Sequence, residues 1–153
     1  MTHPFEQIPR VDMSNFRQEG EPAKGPRVYF ISGRLDLTED EFVEHYVPWI
    51  TAALGVPGAG FVVGDARGAD SMAQAMLQLH PHRVRVYHMF ETPRNNLGPF
   101  TCVGGFTSDA ERDTAMTACS DEDIAWVRPG REKSGTAQNL RRRERRTGGQ
   151  SGA

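Results

Sequence analysis

Four short apolar runs, each leading through a polar or glycine-bearing loop into a helical pattern, constrain this chain most. They read "RVYFIS" (27–32), "FVVGD" (61–65), "RVRVYHM" (83–89) and "DIAWV" (123–127). Continuous runs of β-branched and aromatic residues suit parallel strands buried on both faces. In the third run Arg83 and Arg85 alternate with apolar residues. That places it at a sheet edge, because a strand buried on both faces would not carry them. Helical patterns fill the gaps. Thr38 and Glu41 have capping-box spacing ahead of Phe42, Tyr46, Trp49 and Ile50, with Pro48 kinking or dividing the helix. Asp70 is placed to cap a helix over 71–80 that Pro81 ends, and Ser108 with Glu111 opens another to about Ser120. A last helix follows "PGREKSGT". Strands alternating with helices predict an α/β domain in three layers: a parallel sheet of at least four strands, in order 3-2-1-4, with helices on both faces. The stretch "ETPRNNLGPFTCVGGF" (91–106) has the length and composition of a functional loop or lid.

Three regions emerge. Residues 1–26, with Pro4, Pro9, Pro22 and Pro26, form an extended arm. Such an arm is either disordered or, through Phe5, Ile8, Val11, Met13 and Phe16, packed on the body or on a neighbouring subunit of a homo-oligomer. Residues 27–146 form the domain, and 147–153 a flexible tail. No leader-like segment opens the chain and no apolar run reaches membrane-spanning length. With Cys102 and Cys119 as the only cysteines, and no C-x-x-C spacing, a cytoplasmic protein with reduced thiols is expected. The formal charge of −2 hides an asymmetry. Taking the five arginines and one glutamate of "RRRERR" (141–146) from 18 basic and 20 acidic residues leaves 13 and 19, a formal −6 for the rest. An acidic body does not suit a duplex-DNA platform; nucleic-acid contact is left to the basic end, as a minor possibility.

Ligands of open parallel sheets bind outside the carboxyl ends of the strands. Three loops converge there. "SGRLD" brings Gly33 and Arg34, "GDARGAD" brings Gly64, Asp65, Arg67, Gly68 and Asp70, and "PGREKSGT" brings Ser134, Gly135 and Thr136. Glycines at helix starts expose backbone N–H groups suited to phosphate or another anion. Arg112 shares a helix face with Ala115, Met116 and Cys119, so its guanidinium is buried and needs an anionic partner. Spacing alone leaves that partner open between a structural aspartate (Asp65, Asp70 or Asp113) and a bound ligand. His45, His80, His82 and His88 lack metal-ligand spacing, and no metal site is expected.

The order of these motifs resembles the SLOG superfamily, a Rossmann-like set that includes the Lonely Guy phosphoribohydrolases and the DNA-processing protein DprA. The likeness runs over roughly residues 27–146. It rests on a strand ending in Gly-Arg, on "GDARGAD-MA", and on "ERDTAM----SDEDIAWV-PG--SGT". The nearest pattern is that of small bacterial and phage members with a GGARGAD-type motif. This resemblance implies a nucleotide or nucleotide-derived ligand, for example one like NAD or ADP-ribose. It implies Gly68 and Asp70 at one phosphate turn, Gly135 and Thr136 at the other, and Arg112 facing the ligand. Asp65 stands where the motif has a second glycine, and Asp113 where asparagine is common. Position 139, where the phosphoribohydrolases place a catalytic glutamate, is Asn139 here. An amide serves neither as nucleophile nor as general base. The expectation is therefore a binder that senses or sequesters its ligand. The alternative is an N-glycosidase acting on nucleoside 5'-monophosphates through another carboxylate, with Asp65, Asp70, Glu91 and Glu111 as candidates.

Overall fold

The computed structural model describes residues 27–151, with side chains as far as Arg145. The arm expected over residues 1–26 lies outside the described residues. Five strands form one parallel sheet: β1 (Val28–Ile31), β2 (Gly60–Gly64), β3 (Val84–Met89), β4 (Thr101–Phe106) and β5 (Glu122–Ile124), in the order β4-β3-β2-β1-β5. The helices are α1 (Glu39–His45), α2 (Val47–Leu54), α3 (Ala69–Met76), α4 (Asp109–Ala118) and α5 (Gly135–Ser151). This is a Rossmann-like three-layer arrangement. The four strands read from sequence keep their order 3-2-1-4, and a fifth is added outside the third.

Alternation along the strands divides the core. On one face Ile31, Phe61, Val63, Val84 and Val86 pack with Phe42, Tyr46, Ile50, Ala73 and Leu77 of the segments α1 to α3. On the other, Val28, Phe30, Val62 and Tyr87 meet Met116, with Ala115 and Cys119 against them. Thr38 and Glu41 make the reciprocal capping box, and the helix divides at Tyr46, leaving Pro48 in the first turn of α2 where a missing N–H costs nothing.

Three expectations need correction. The third strand is not an edge, because β4 pairs outside it. Arg83 lies before the strand, in the turn Pro81–Arg83, and its guanidinium donates to the carbonyls of Leu54, Val56 and Ala59 at 3.1, 3.0 and 2.7 Å. It closes the C-terminal end of α2, as a cation does well at the negative end of a helix. Arg85 lies over the Tyr87 ring, 5.4 Å from its centroid. The long 91–106 connection is not all loop, since its second half contains strand β4. Asp70 is not a cap: Gly68 is the N-cap residue and Asp70 sits inside the first turn of α3.

The arginine-rich segment is woven into the domain. Arg143 ion-pairs with Asp123 at 3.2 Å and donates to the carbonyls of Thr117 and Ser120. Arg141 donates to the Glu132 carbonyl and Arg142 to the side chain of Asn139. Helix α5 runs on to Ser151, through residues that composition assigns to a tail. Among the described residues no helix is long and apolar enough to cross a membrane.

Candidate functional site

Strand order reverses at β1: the chain moves from β1 to β2 on one side and later returns to place β5 on the other. A cavity of about 530 Å³ opens at this point, at the carboxyl ends of the strands. Its walls carry Ser32, Gly33, Arg34 and Asp36 after β1, Gly64, Ala66, Arg67 and Asp70 after β2, and Ser134, Gly135, Thr136 and Asn139 after β5. Helix α4 adds Asp109, Arg112 and Asp113, and the β3–β4 connection adds Arg94. Most residues singled out by sequence therefore meet in one place. Asp65 and Gly68 support it from behind; Glu91 and Glu111 do not line it. Glu111 is exposed and accepts from Thr107 Oγ1 at 2.8 Å.

Two glycines act through close approach. A Cβ at Gly64 would stand 2.5 Å from Asp70 Oδ2 and 3.3 Å from Arg112 Cζ, so its absence admits both side chains. Gly68 has φ 76 and ψ −125, and a Cβ there would collide with the carbonyls of Arg34 and Leu35. Gly68→Ala is expected to lower stability by about 2 kcal/mol or more, from the backbone conformation and the collision together. Unchanged thermal unfolding by circular dichroism would contradict this.

Two backbone donors of the "GDARGAD" loop are used internally. Ala66 N donates to Asp70 Oδ2 at 3.1 Å and Ala69 N to the Arg34 carbonyl at 3.1 Å. The loop's own carboxylate thus takes an amide that an outside anion would have used. The start of α5 is more open: Ser134 Oγ accepts from Ala137 N at 3.2 Å, and the space beside Gly135 is empty to 4 Å.

Arg112 is buried among carboxylates. Its guanidinium reaches Asp65 at 2.9 Å, Asp113 at 3.1 Å and Asp109 at 3.3 Å. Asp65 and Asp113, two of the three structural partners that spacing offered, are therefore engaged. Arg94, which nothing in the sequence singled out, also holds Asp65, through its backbone N–H at 2.7 Å and its guanidinium at 2.8 Å. Burial pushes the Asp65 carboxyl up, but the hydrogen bonds and charge of Arg94, with Arg112 behind, hold it below its ordinary value. Asp65 is thereby committed to structure. For Asp70 burial wins over the Arg112 charge and the Ala66 N–H, and the carboxyl is pushed up to about 7. Burial also raises Asp113, against Arg112 and the Asn139 side-chain amide, which donates to its Oδ2 at 3.2 Å. Burial thus raises the carboxyls of two acids of the cavity, Asp70 and Asp113.

Ser32 is buried to 7% exposure, lines the cavity, and its hydroxyl has no hydrogen-bond partner among the described residues. A buried hydroxyl left unmatched is costly, and a ligand group is one way to match it. The lips of the cavity are braced. Tyr46 OH donates to the Ser32 carbonyl at 2.7 Å and accepts from Trp126 N at 3.1 Å, while Arg128 joins Asp36 and Glu41. Hydrogen bonds from Arg34 and from Arg128 hold Asp36 down to about 2, and those from Arg128 and Thr38 hold Glu41 there as well.

No protein-family model, no curated protein and no solved structure matches this chain. The chemistry of the site is read from its own residues. Among the described residues no group of three acidic, histidine or cysteine side chains is placed to hold a metal ion.

Proposed function

We propose that the chain binds a nucleotide or nucleotide-derived small molecule at the β1–β5 crevice, for sensing or sequestration. The observation that carries this reading is the position of the cavity. It lies where strand order reverses, is of mononucleotide size at about 530 Å³, and sits between the starts of α3 and α5. The ligand's phosphate goes to the N-terminus of α5 at Gly135 and Thr136, where the helix dipole favours an anion and nothing crowds Gly135. Its hydroxyl-bearing part goes inward, where Asp70 and Asp113 on the cavity wall offer acceptors. The motif likeness to the SLOG superfamily points the same way. It does not carry the reading alone.

Gly135→Asp is the direct test. An aspartate in the first helical turn favours the helix itself, so folding persists, while its charge repels a phosphate. Calorimetric titration with nucleoside 5'-monophosphates and ADP-ribose should show binding to the unsubstituted protein that Gly135→Asp weakens at least about tenfold, as loss of a charge-assisted contact implies. Binding of the matching unphosphorylated nucleosides should not change. Equal affinity in both proteins, or no affinity for any of these ligands, would reject the reading.

A second reading has one observation in its favour. Asp113 is a carboxylate with a raised pKa on the cavity wall, oriented by Asn139. Such a group is suited to proton transfer, so N-glycosidic cleavage could be relocated from position 139 to 113. Free base released from a monophosphate, and abolished by Asp113→Asn, would replace the binder by the enzyme.

A further inference from the structure

A second cavity lies outside the site already described. It is a groove of about 730 Å³ along the open side of β5, the terminal strand of the sheet. Tyr29 and Ile124 lie along it, Trp49, Ala53 and Val56 line it from the α2 side, and Leu140 from α5. Trp49 is 64% exposed, a large aromatic surface to leave in water. Glu122 and Asp123 of the strand lie on the groove's border, and among the described residues no strand pairs with the outer edge of β5. An unpaired strand edge beside an apolar groove is a template for further chain unless something covers it.

We propose that the groove is the docking site of this chain's own residues 5–16, "FEQIPRVDMSNF". Three observations single out this occupant. The chain enters the described domain beside the groove: Arg27 lies 3.6 Å from Glu122, and Tyr29 two residues later is part of the lining. Residues 5–16 hold Phe5, Ile8, Val11, Met13 and Phe16, an apolar content that a purely solvated leader does not need. The intervening residues 17–26 close with "GEPAKGP", a composition suited to reversing direction. Ten residues reach about 33 Å when extended, ample to turn the segment back over its own edge strand. Tethering so close raises the local concentration of the segment to the millimolar range, which favours it over any free competitor. Docking there both buries Trp49 and protects the β5 edge.

The chain contains two tryptophans, Trp49 and Trp126. In a Trp126→Phe background, which keeps a ring against His45, fluorescence reports Trp49 alone. Deleting residues 1–18 should shift its emission to longer wavelength and speed amide exchange of residues 122–125 by about tenfold or more, since an edge freed of its cover opens locally. A peptide of residues 1–18 added to the shortened protein should reverse both changes in a saturable way. Should the shortened chain not fold, the full chain with Ile8→Asp and Phe16→Asp reads out the same two signals. Identical emission and exchange with and without the segment would overturn the proposal. So would protection in the full chain that vanishes on dilution, because the occupant would then be a second copy.

Discussion

Arg112→Ala is expected to cost about 3–5 kcal/mol of folding free energy, the range for breaking a buried ion pair and stranding its partners. Arg112 is 6% exposed and is met by Asp65, Asp109 and Asp113, with the charge of Asp70 close enough to feel it. Removing the guanidinium leaves Asp65 with Arg94 alone, and leaves Asp70 and Asp113 without their principal counter-charge. Lysine at 112 restores the charge but not the planar fork that serves several carboxylates, so it should recover only part of the loss. Urea unfolding of the three proteins gives the measurement. A loss below about 1 kcal/mol, with ligand binding abolished in the folded variant, would make Arg112 a ligand residue and not the hub of the fold.

The second large effect is pH-dependent. Asp70 keeps its proton to about pH 7 in the folded chain, whereas an unfolded aspartate gives it up near 3.9. Between those values the folded state binds more protons, so stability falls as pH rises through this window and the full cost is present above it. Each tenfold difference in proton affinity between the folded and unfolded chain is worth about 1.4 kcal/mol. Discounted for relaxation around the ionised group, Asp70→Asn should therefore be about 2–4 kcal/mol more stable than the parent at pH 8. The amide oxygen still accepts from Ala66 N. Near pH 4 the two proteins should unfold alike. Burial also raises Asp113 and Asp123, which contribute the same slope in both proteins, so the difference between the curves isolates Asp70. An Asp70→Asn protein less stable than the parent at pH 8 would show that the ionised carboxylate is needed.

Much of the frame was legible in local pattern. The four apolar runs, the capping box at Thr38 and the face carrying Arg112 are all written in residues a few positions apart, where helix and strand periods act. Strand β4 was not legible. Its sequence "TCVGGF" is mostly exposed and contains two glycines, because an edge strand needs only one half-buried side. Arg83 was misread for a related reason: its partners are carbonyls of Leu54, Val56 and Ala59, which no side-chain pattern announces. Arg94 meets Asp65 across 29 residues of sequence through a connection with no helix or strand period, so only the folded chain brings it to the site. The aspartate-rich surroundings of Arg112 fall between the two cases. Each acid was visible, but their convergence on one guanidinium was not.

The phenol of Tyr46 has a consequence for kinetics. One hydroxyl spans from the carbonyl just past β1 to an amide just past β5, so it ties together two of the strand ends from which the crevice's loops leave. Burial raises its pKa to about 12, so alkaline conditions short of that leave the tie in place. With those two strand ends tied together, the ligand proposed above would meet loops that already stand in place. Its residence time would then be governed by the contacts it makes inside.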